Sequence, residues 1–213
     1  MKRLRLLLAD DHDIVLEGLR RVLDHPEFEI AGVVQDGLSL LRAAEAFQPD
    51  VIITDITMPF LNGIDAAEQI HKSYPEVKII FLTMHPDVTF ASEALAAGGS
   101  GYVLKTAAAD ELRTAIREAT KGNVYITKSI AEAVKQGLSA RSNAWRGPLD
   151  NLTSRQREVL QLLAEGLQTK EVALKLNLSP RTVEFHKYRI MDELGLRTAA
   201  EIARYAARRG MVT

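Results

Sequence analysis

Residues 4–11 read LRLLLADD and residues 51–55 read VIITD, so in both places a short apolar run ends in aspartate. Similar runs recur up to Val124, with helix-like stretches between them. The runs are Leu4–Leu8, Ile30–Val34, Val51–Thr54, Ile79–Thr83 and Tyr102–Leu104. Continuous apolar strands that alternate with helices are typical of a parallel sheet covered on both faces by right-handed βαβ units. The pattern predicts a doubly wound α/β domain with five strands, over residues 1–125.

The remainder of the chain predicts helices alone. From Leu152 onward the apolar residues recur at helical spacing, and Ser179 before Pro180 fits the start of a helix. Residues 126–149 read ITKSIAEAVKQGLSARSNAWRGPL, which predicts a linker containing a short helix. We therefore expect a second, all-α domain over residues 150–213.

Charge is divided unevenly between these two parts. The whole chain of 213 residues has a formal net charge of -1. Residues 150–213 hold 11 Lys and Arg against 8 Asp and Glu, whereas residues 1–149 hold 16 against 20. The basic surplus of the second part is smaller than that of a strongly basic nucleic-acid domain.

The composition also excludes some classes of site and location. The chain has no cysteine, so disulfides, thiolate nucleophiles and zinc–cysteine sites are excluded. The apolar run near the N-terminus breaks at Asp10, and no run approaches the ~18 apolar residues that span a bilayer. We expect a cytoplasmic protein with no membrane partner.

Polar side chains follow the predicted strands, at the edge where a doubly wound sheet binds its ligands. These residues are Asp10, Asp11, Asp55, Thr83 and Lys105. Three neighbouring carboxylates repel one another, and Mg²⁺ with its preference for oxygen ligands would relieve that repulsion. An aspartate beside Mg²⁺ and lysine can attack phosphorus and form an acyl phosphate. Taken singly, each residue is more often a helix cap, a turn residue or a solvated lysine.

The longest helix of the second domain has two distinct faces. Val183, Ile190 and Leu194 share a core face, and the opposite face mixes a cation, an acid and two aromatic rings. The residues of that opposite face are Arg181, Glu184, Phe185 and Tyr188. Such a face suits a helix that enters the major groove of DNA. A small helical bundle that binds another protein is the alternative.

The motifs of the first domain resemble the receiver domain of two-component response regulators, a flavodoxin-like fold. The resemblance rests on Asp10-Asp11, DITMPFLNGID around Asp55, LTMH around Thr83 and GYVLK ending in Lys105. It implies that Asp55 accepts a phosphoryl group from a sensor histidine kinase. It also implies that Asp11, Asp55 and the Thr57 carbonyl bind Mg²⁺ with the help of Asp10.

Further roles are implied by the same resemblance. Thr83 and Lys105 contact the phosphoryl oxygens, and Tyr102 is the switch aromatic that turns inward as Thr83 moves. Thr57 and His85 resemble positions that tune the lifetime of the phosphoryl group. The family often has a cis proline after its lysine, where this chain has Thr106.

The second domain resembles the LuxR-type DNA-binding domain of NarL/FixJ-class response regulators. The blocks LTSRQREVLQLLAEG and SPRTVEFHKYRIMDELGL carry the resemblance, which implies double-stranded DNA as a partner and a homodimer when the protein is phosphorylated. The expected DNA-binding residues are Lys170, Ser179, Arg181, Thr182, Glu184, Phe185, Lys187, Tyr188 and Arg189. Glu184 suits acceptance of a hydrogen bond from a cytosine amino group.

The resulting hypothesis is a phosphorylation-regulated transcription regulator, in which the phosphoryl group changes dimerisation or domain docking. An aspartyl-phosphate phosphatase or phosphotransferase is one rival. The haloacid dehalogenase type carries a general acid two residues after its nucleophile, and here Thr57 stands there, so we expect no enzyme. A phosphorylation-independent regulator controlled by a partner protein is the other rival, and the complete set of pocket residues argues against it.

Overall fold

The first part of the chain forms a doubly wound parallel sheet in a computed structural model that describes residues 3–107, 109–141 and 151–212, the side chains of 137–141 excepted. The strands are β1 (Leu4–Ala9), β2 (Phe28–Val34), β3 (Val51–Thr54), β4 (Lys78–Thr83), β5 (Gly101–Leu104) and β6 (Tyr125–Ile126). Their order is β2-β1-β3-β4-β5-β6, and all neighbours are parallel. The predicted α/β fold is confirmed. The predicted count of five strands was one short, because the two-residue β6 pairs with β5 at the edge.

Helices cover both faces of the sheet because successive strand residues point to opposite sides. Leu6 and Leu8 pack with one set of helices, whereas Leu7 between them packs with the other. The first set is α1 (Asp13–Val22) and α5 (Ala109–Thr120). The second set is α2 (Gly37–Phe47), α3 (Gly63–Ser73) and α4 (Val88–Ala96). Burial on both faces explains why the strands are apolar throughout.

A further helix, α6 (Lys128–Arg141), lies in the stretch that the sequence assigned to the linker. Ile130 and Val134 of α6 are buried in the same apolar cluster as Tyr102 of β5. The helix therefore extends the first domain beyond Ile126. Residues 142–149, which complete the predicted linker, and Asp150, the first residue of the predicted second domain, lie outside the described residues.

The order of the strands places the functional residues. The chain runs from β1 to β2 on one side and then returns to β3 on the other, so the carboxyl ends of β1 and β3 flank the switch point where such sheets bind ligands. Asp10 follows β1 and Asp55 follows β3. Gly63 begins α3 so close to this edge that a Cβ atom there would lie 1.9 Å from the Asp55 carbonyl oxygen.

The second part of the chain, residues 151–212, is entirely helical and is called the reader below. Its helices are α7 (Ser154–Ala164), α8 (Thr169–Leu176), α9 (Pro180–Leu194) and α10 (Ala199–Arg208). Val183 and Ile190 of α9 are fully buried in its core, as the sequence predicted. Ser179 caps α9 by accepting a hydrogen bond from the Thr182 N–H group at 3.1 Å. The α8–α9 pair has the predicted helix-turn-helix order.

Candidate functional site

The acidic pocket lies at the carboxyl edge of the sheet and is centred on Lys105. The Lys105 Nζ atom is 2.7 Å from Asp10 Oδ2 and 2.6 Å from Asp55 Oδ2. The other Asp55 oxygen, Oδ1, accepts a hydrogen bond from the Ile56 N–H group at 2.6 Å. Asp10, Asp55 and Lys105 are all largely buried. The fold thus brings together side chains that are separated by up to 95 positions in the sequence.

Burial and charge act in opposite directions on this cluster. Burial raises the pKa of Asp55, the Lys105 ammonium lowers it in part, and the charge of Asp10 raises it again, so that it lies above the ordinary value. Burial of Lys105 works to lower its pKa, but hydrogen bonds to Asp10 and Asp55 outweigh it, so the pKa of Lys105 is raised. Lys105 therefore stays charged beside carboxylates whose mutual repulsion a further positive charge would reduce.

The pocket offers a set of cation ligands that includes one residue which the sequence analysis missed. Asp10, Asp11, His12 and Asp55 each place one ligand atom within 4.8 Å of all the others. The carboxylates among them are the oxygen ligands that Mg²⁺ prefers, so the residues fit the ion that receiver domains generally bind. His12 directly follows Asp11, and this adjacency was the signal available in the sequence.

The expected switch residues surround the pocket. Thr83 is fully buried, and its hydroxyl accepts a hydrogen bond from the His85 N–H group at 3.2 Å. Tyr102 is fully buried as well, and its hydroxyl donates to the His85 carbonyl at 2.8 Å. The Tyr102 ring therefore already points inward in this conformation. The Thr57 hydroxyl lies 3.4 Å from His85 Nε2, and the bond between Lys105 and Thr106 is not cis.

The outer face of α9 is open to solvent. Phe185 is 61% exposed and Tyr188 is 70% exposed, although both are large aromatic residues. The cationic residues Lys170, Arg181 and Arg189 are exposed beside them, and Lys187 is partly exposed. Exposed aromatic and cationic side chains on a helix-turn-helix pair fit contacts with phosphates and base edges.

Four of the expected DNA contacts, Ser179, Thr182, Glu184 and Lys187, are already engaged within the reader. The Ser179 hydroxyl caps α9 and also lies 2.8 Å from the Thr182 hydroxyl. The carboxylate of Glu184 accepts a hydrogen bond from the Thr169 hydroxyl and lies 3.8 Å from Lys187 Nζ. Glu184 must therefore exchange or share these partners if it contacts a base.

The reader also contacts the loop that begins at Asp55, called the β3–α3 loop (residues 55–62). Gln161 of α7 donates to the Met58 carbonyl at 2.8 Å and accepts from the Asn62 N–H group at 2.7 Å. Glu165 accepts from the Phe60 N–H group at 2.7 Å. Gln161 is fully buried, so these bonds replace water at the contact.

Charged side chains extend the same contact along α3. The Arg157 guanidinium binds both Asp65 and Glu68, and Gln69 donates to Glu158 at 3.0 Å. Burial raises the pKa of Asp65, and the Arg157 charge only partly offsets this. Nothing in the periodicity of α7 predicted these partners, because they belong to the other domain.

The contact continues onto two further points of the reader. The Phe60 backbone has a positive φ of 70°, which is unusual for a bulky residue, and Lys175 Nζ lies 3.1 Å from the centre of its ring. The carbonyl of Gly210 accepts a hydrogen bond from the Thr57 hydroxyl at 3.3 Å. The reader thus contacts the β3–α3 loop at several points. The exposed face of α9 takes no part in these contacts between the two domains.

Family models and related proteins agree with both halves of this description. Residues 6–117 match the response regulator receiver domain, and residues 150–206 match the luxR family of bacterial regulatory proteins. The oxygen regulatory protein NreC of Staphylococcus aureus is 33% identical over 98% of this chain and 99% of its own. Among the described residues, no helix is both long and apolar enough to cross a membrane.

Solved structures give the same result. RcsB of Salmonella typhimurium matches with a TM-score of 0.62 and 31% identity, over 98% of each chain. A structure of that protein bound to a promoter, in the presence of the phosphomimetic BeF₃⁻, matches with a TM-score of 0.61 and 30% identity, over 96% of this chain and 98% of that one. The shared receiver, LuxR-type domain and full-length similarity lead to one conclusion: this chain belongs to the NarL/FixJ class of response regulators, phosphorylation-dependent transcription regulators that bind DNA.

Proposed function

We propose that this protein accepts a phosphoryl group on Asp55 from a sensor histidine kinase and so controls binding of its reader to promoter DNA. The Asp55 carboxylate attacks the phosphorus of the kinase phosphohistidine. The phosphorus–nitrogen bond breaks, its electron pair stays on the imidazole, and an acyl phosphate forms on Asp55. The observation that carries this proposal is the placement of Lys105 Nζ 2.6 Å from Asp55, where it can neutralise a phosphoryl oxygen.

The remaining pocket residues fit supporting roles. We assign the Mg²⁺ ligands to Asp11, Asp55 and the Thr57 carbonyl, with Asp10 assisting; when bound, Mg²⁺ would neutralise and orient the phosphoryl oxygens. Lys105 and the Thr83 hydroxyl would contact those oxygens from the protein side. Tyr102, already inward, would hold the His85 carbonyl while Thr83 moves. Because no second acid stands at Thr57, we propose one transfer to the chain's own aspartate and no multiple-turnover hydrolysis.

We propose that α9 reads the major groove of double-stranded DNA. Phe185 and Tyr188 present exposed rings, which supports this role. We assign Arg181 and Glu184 to base edges, and Lys170, Lys187 and Arg189 to phosphates. Ser179 and Thr182 lie at the α9 N-terminus, where backbone N–H groups favour a phosphate. The small positive charge of the reader supports pairing of two readers in a homodimer, since one alone contributes few phosphate contacts.

The two domains offer a route by which the phosphoryl group can alter the reader. Met58 and Asn62 bond to α7 and Phe60 bonds to Glu165, the C-cap residue of α7, and all three lie within seven positions of Asp55. A loop that rearranges around a phosphoryl group and its cation cannot keep all of these hydrogen bonds unchanged. We therefore propose that phosphorylation weakens the contact between the β3–α3 loop and α7.

Release of the reader from the receiver would change the positions that the reader can adopt. It would not act by uncovering α9. The DNA-facing side of α9 is exposed while the domains are in contact, so the docked chain does not hide it. What docking restricts is the position of each reader relative to its receiver. We propose that two released readers can align on a two-fold symmetric site, which two docked readers cannot do.

The proposed function also suggests the domain boundaries and the cellular location of the protein. We propose a receiver of residues 1–125 extended by α6, a connecting segment within residues 126–149, and a DNA-binding domain of residues 150–213 that contains the reader. A partner that is chromosomal DNA implies action in the cytoplasm.

The proposal is tested by loading the full-length protein with Mg²⁺ and acetyl phosphate and following mass, assembly and DNA affinity. We expect a phosphoryl adduct, dimer formation and tighter binding to a two-fold symmetric site. Phosphorylation of the Asp55→Asn variant, or loading of the wild type with no change in assembly or DNA binding, would contradict it.

A second test separates the roles of two α9 residues. Lys187→Ala should weaken binding to every DNA sequence and reduce the salt slope by about one. Glu184→Ala should change the preference at one base pair, by about 1–3 kcal/mol. Equal losses on all sequences for Glu184→Ala would remove its assignment as a base contact.

A further inference from the structure

The turn that follows α10, called the α10 turn (residues 209–212), contacts the receiver at two residues, one in the β3–α3 loop and one in α4. The Gly210 carbonyl accepts a hydrogen bond from the hydroxyl of Thr57, which lies two positions after Asp55. A Cβ atom at Gly210 would lie only 2.6 Å from the Phe90 ring of α4, so the backbone of the turn packs directly against that ring. The reader therefore contacts the receiver through a second element besides α7.

The α10 turn is fixed within the reader. The Gly210 N–H group donates to the Ala207 carbonyl at 3.0 Å, and the Met211 N–H group donates to the Ala206 carbonyl at 3.0 Å. Gly210 has a positive φ of 62°, which glycine adopts readily at the end of a helix. Met211 is buried in the core of the reader. The turn therefore presents its carbonyl and its bare backbone to the receiver at a position that the reader core sets.

His85 joins the two contact points of the α10 turn to the two switch residues. Its Nε2 atom lies 3.4 Å from the Thr57 hydroxyl, and its ring packs on the Phe90 ring with the centroids 4.7 Å apart. Its backbone N–H group donates to the Thr83 hydroxyl, and its carbonyl accepts from the Tyr102 hydroxyl. One residue thus contacts the switch residues through its backbone and the residues beneath the α10 turn through its side chain.

We propose that the α10 turn holds His85 in place, so that a docked reader keeps the receiver in an arrangement that accepts the phosphoryl group slowly. This inference rests on the proposed function, because it assumes that Asp55 is the acceptor and that Thr83 moves toward a phosphoryl oxygen. Thr83 cannot make that movement and keep its hydrogen bond from the His85 N–H group unless His85 moves with it. His85 is packed against Phe90, and Phe90 is itself packed against Gly210.

This restraint makes the reader a regulator of the chemistry of the receiver. The observed rate of phosphoryl gain is the intrinsic rate multiplied by the fraction of molecules in the receptive arrangement. A contact that favours the other arrangement lowers that fraction, and couplings of this kind typically amount to about 5–150-fold. A chain whose α10 turn has left the receiver should therefore gain its phosphoryl group faster than a docked chain. The effect precedes phosphorylation, whereas release of α7 follows it.

The test measures the rate at which the full-length protein gains a phosphoryl group from acetyl phosphate with Mg²⁺, a transfer that releases acetate. Gly210→Ala places a methyl group against the Phe90 ring, which should displace the turn and raise the rate about fivefold or more. Gly195→Ala is the matched control, because Gly195 also ends a helix with a positive φ of 65° and a Cβ atom there would meet nothing within 4 Å. The control introduces the same kind of backbone strain and should keep the wild-type rate.

A double-mutant cycle shows whether the effect passes through Phe90. Phe90→Ala removes the ring that joins Gly210 to His85 and leaves every residue of the reader unchanged, so it should raise the rate on its own. Adding Gly210→Ala to Phe90→Ala should raise the rate no further, because the methyl group then meets no ring. A loss of reader structure at the end of α10 would instead act equally with and without Phe90.

A wild-type rate in Gly210→Ala or in Phe90→Ala overturns the inference, and so does equal acceleration by Gly210→Ala and Gly195→Ala. An undiminished effect of Gly210→Ala in the Phe90→Ala background also overturns it, because the turn would then act elsewhere. Phe90→Ala keeps the test decisive if Gly210→Ala unfolds the reader. If the wild type and all variants gain no phosphoryl group, or if Asp55→Asn still gains one, the proposed function fails instead.

Discussion

Two buried clusters in this molecule place one cation between two carboxylates, and they differ in what they join. Lys105 lies between Asp10 and Asp55 inside the receiver, whereas Arg157 of the reader lies between Asp65 and Glu68 of the receiver. The first cluster is held by strands of one sheet and persists as long as the sheet is folded. The second forms only while the two domains are in contact. The same local chemistry thus lies within one domain in the first cluster and joins two domains in the second.

The largest effect is expected from Asp55→Asn, which breaks the first cluster chemically while keeping its shape. The amide cannot attack phosphorus, so the variant should gain no phosphoryl mass from acetyl phosphate in intact-protein mass spectrometry. Asp24→Asn changes an exposed carboxylate and should leave loading unaltered. A phosphoryl adduct on Asp55→Asn would show that another residue is the acceptor.

Arg157→Ala should break the second cluster and leave the first intact. Removing one partner of a buried pair destabilises by about 3–5 kcal/mol, and we expect the lower end because Glu68 is partly exposed. Because the lost pair joins the two domains, the loss should appear as a larger radius of gyration in small-angle scattering. Arg21→Ala, which breaks a surface pair with Glu17, should leave the radius unchanged. A compact Arg157→Ala protein would refute the importance of this contact.

Phe60→Gly should weaken the contact between the domains and leave the stability of the receiver unchanged. Glycine adopts positive φ freely, so the receiver itself should not lose stability. The reader loses the ring beneath Lys175, and a cation–π contact contributes about 0.5–2 kcal/mol. Fluorescence transfer between labels on the two domains should fall, with little change in the urea midpoint of the receiver. Lys175→Met should lower the transfer as well, and an unaltered value in both variants would contradict the assignment.

The smallest effect is expected from pH. Burial raises the pKa values of Asp65 and Glu165, and both side chains bond to partners across the contact between the domains. We therefore expect the docked state to bind protons more tightly than the open state. Protonation of Asp65 contributes fully to docking at pH values below 3.8, the ordinary pKa of an aspartate. This contribution is lost as the pH rises through the raised pKa of the docked state. Compactness should therefore decline as pH rises from about 4 toward neutral. Asp65→Asn should flatten the profile, and an opposite slope would reverse the assigned direction.

The sequence allowed the fold and the members of the pocket to be predicted. Strand runs that end in Asp10, Asp55, Thr83 and Lys105 must meet at one edge once the sheet is parallel, so local pattern and topology were enough. Thr153 and Ser179 likewise mark helix starts by local bonds to their own helices. The sixth strand was missed because a two-residue run such as Tyr125–Ile126 carries no periodicity.

Other features depended on long-range contacts. The packing of α6 on the receiver could not be read from a stretch that resembles a linker, because its burial depends on the apolar face of α4 and β5. The partners of Gln161 and Glu165 are backbone groups of another domain, and a helical pattern contains no information about them. The engagement of Glu184 with Thr169 was missed for the same reason.

The sequence by itself determined the class of the protein, the two domains and the acids and lysine of the pocket, because each follows from local periodicity and strand order. Only the tertiary structure decided that His12 turns toward those acids, that Tyr102 is already inward, and that α7 holds the β3–α3 loop while α9 stays exposed. These features depend on side-chain direction and on domain placement. Both are set by packing between residues far apart in the chain, which a local pattern does not specify.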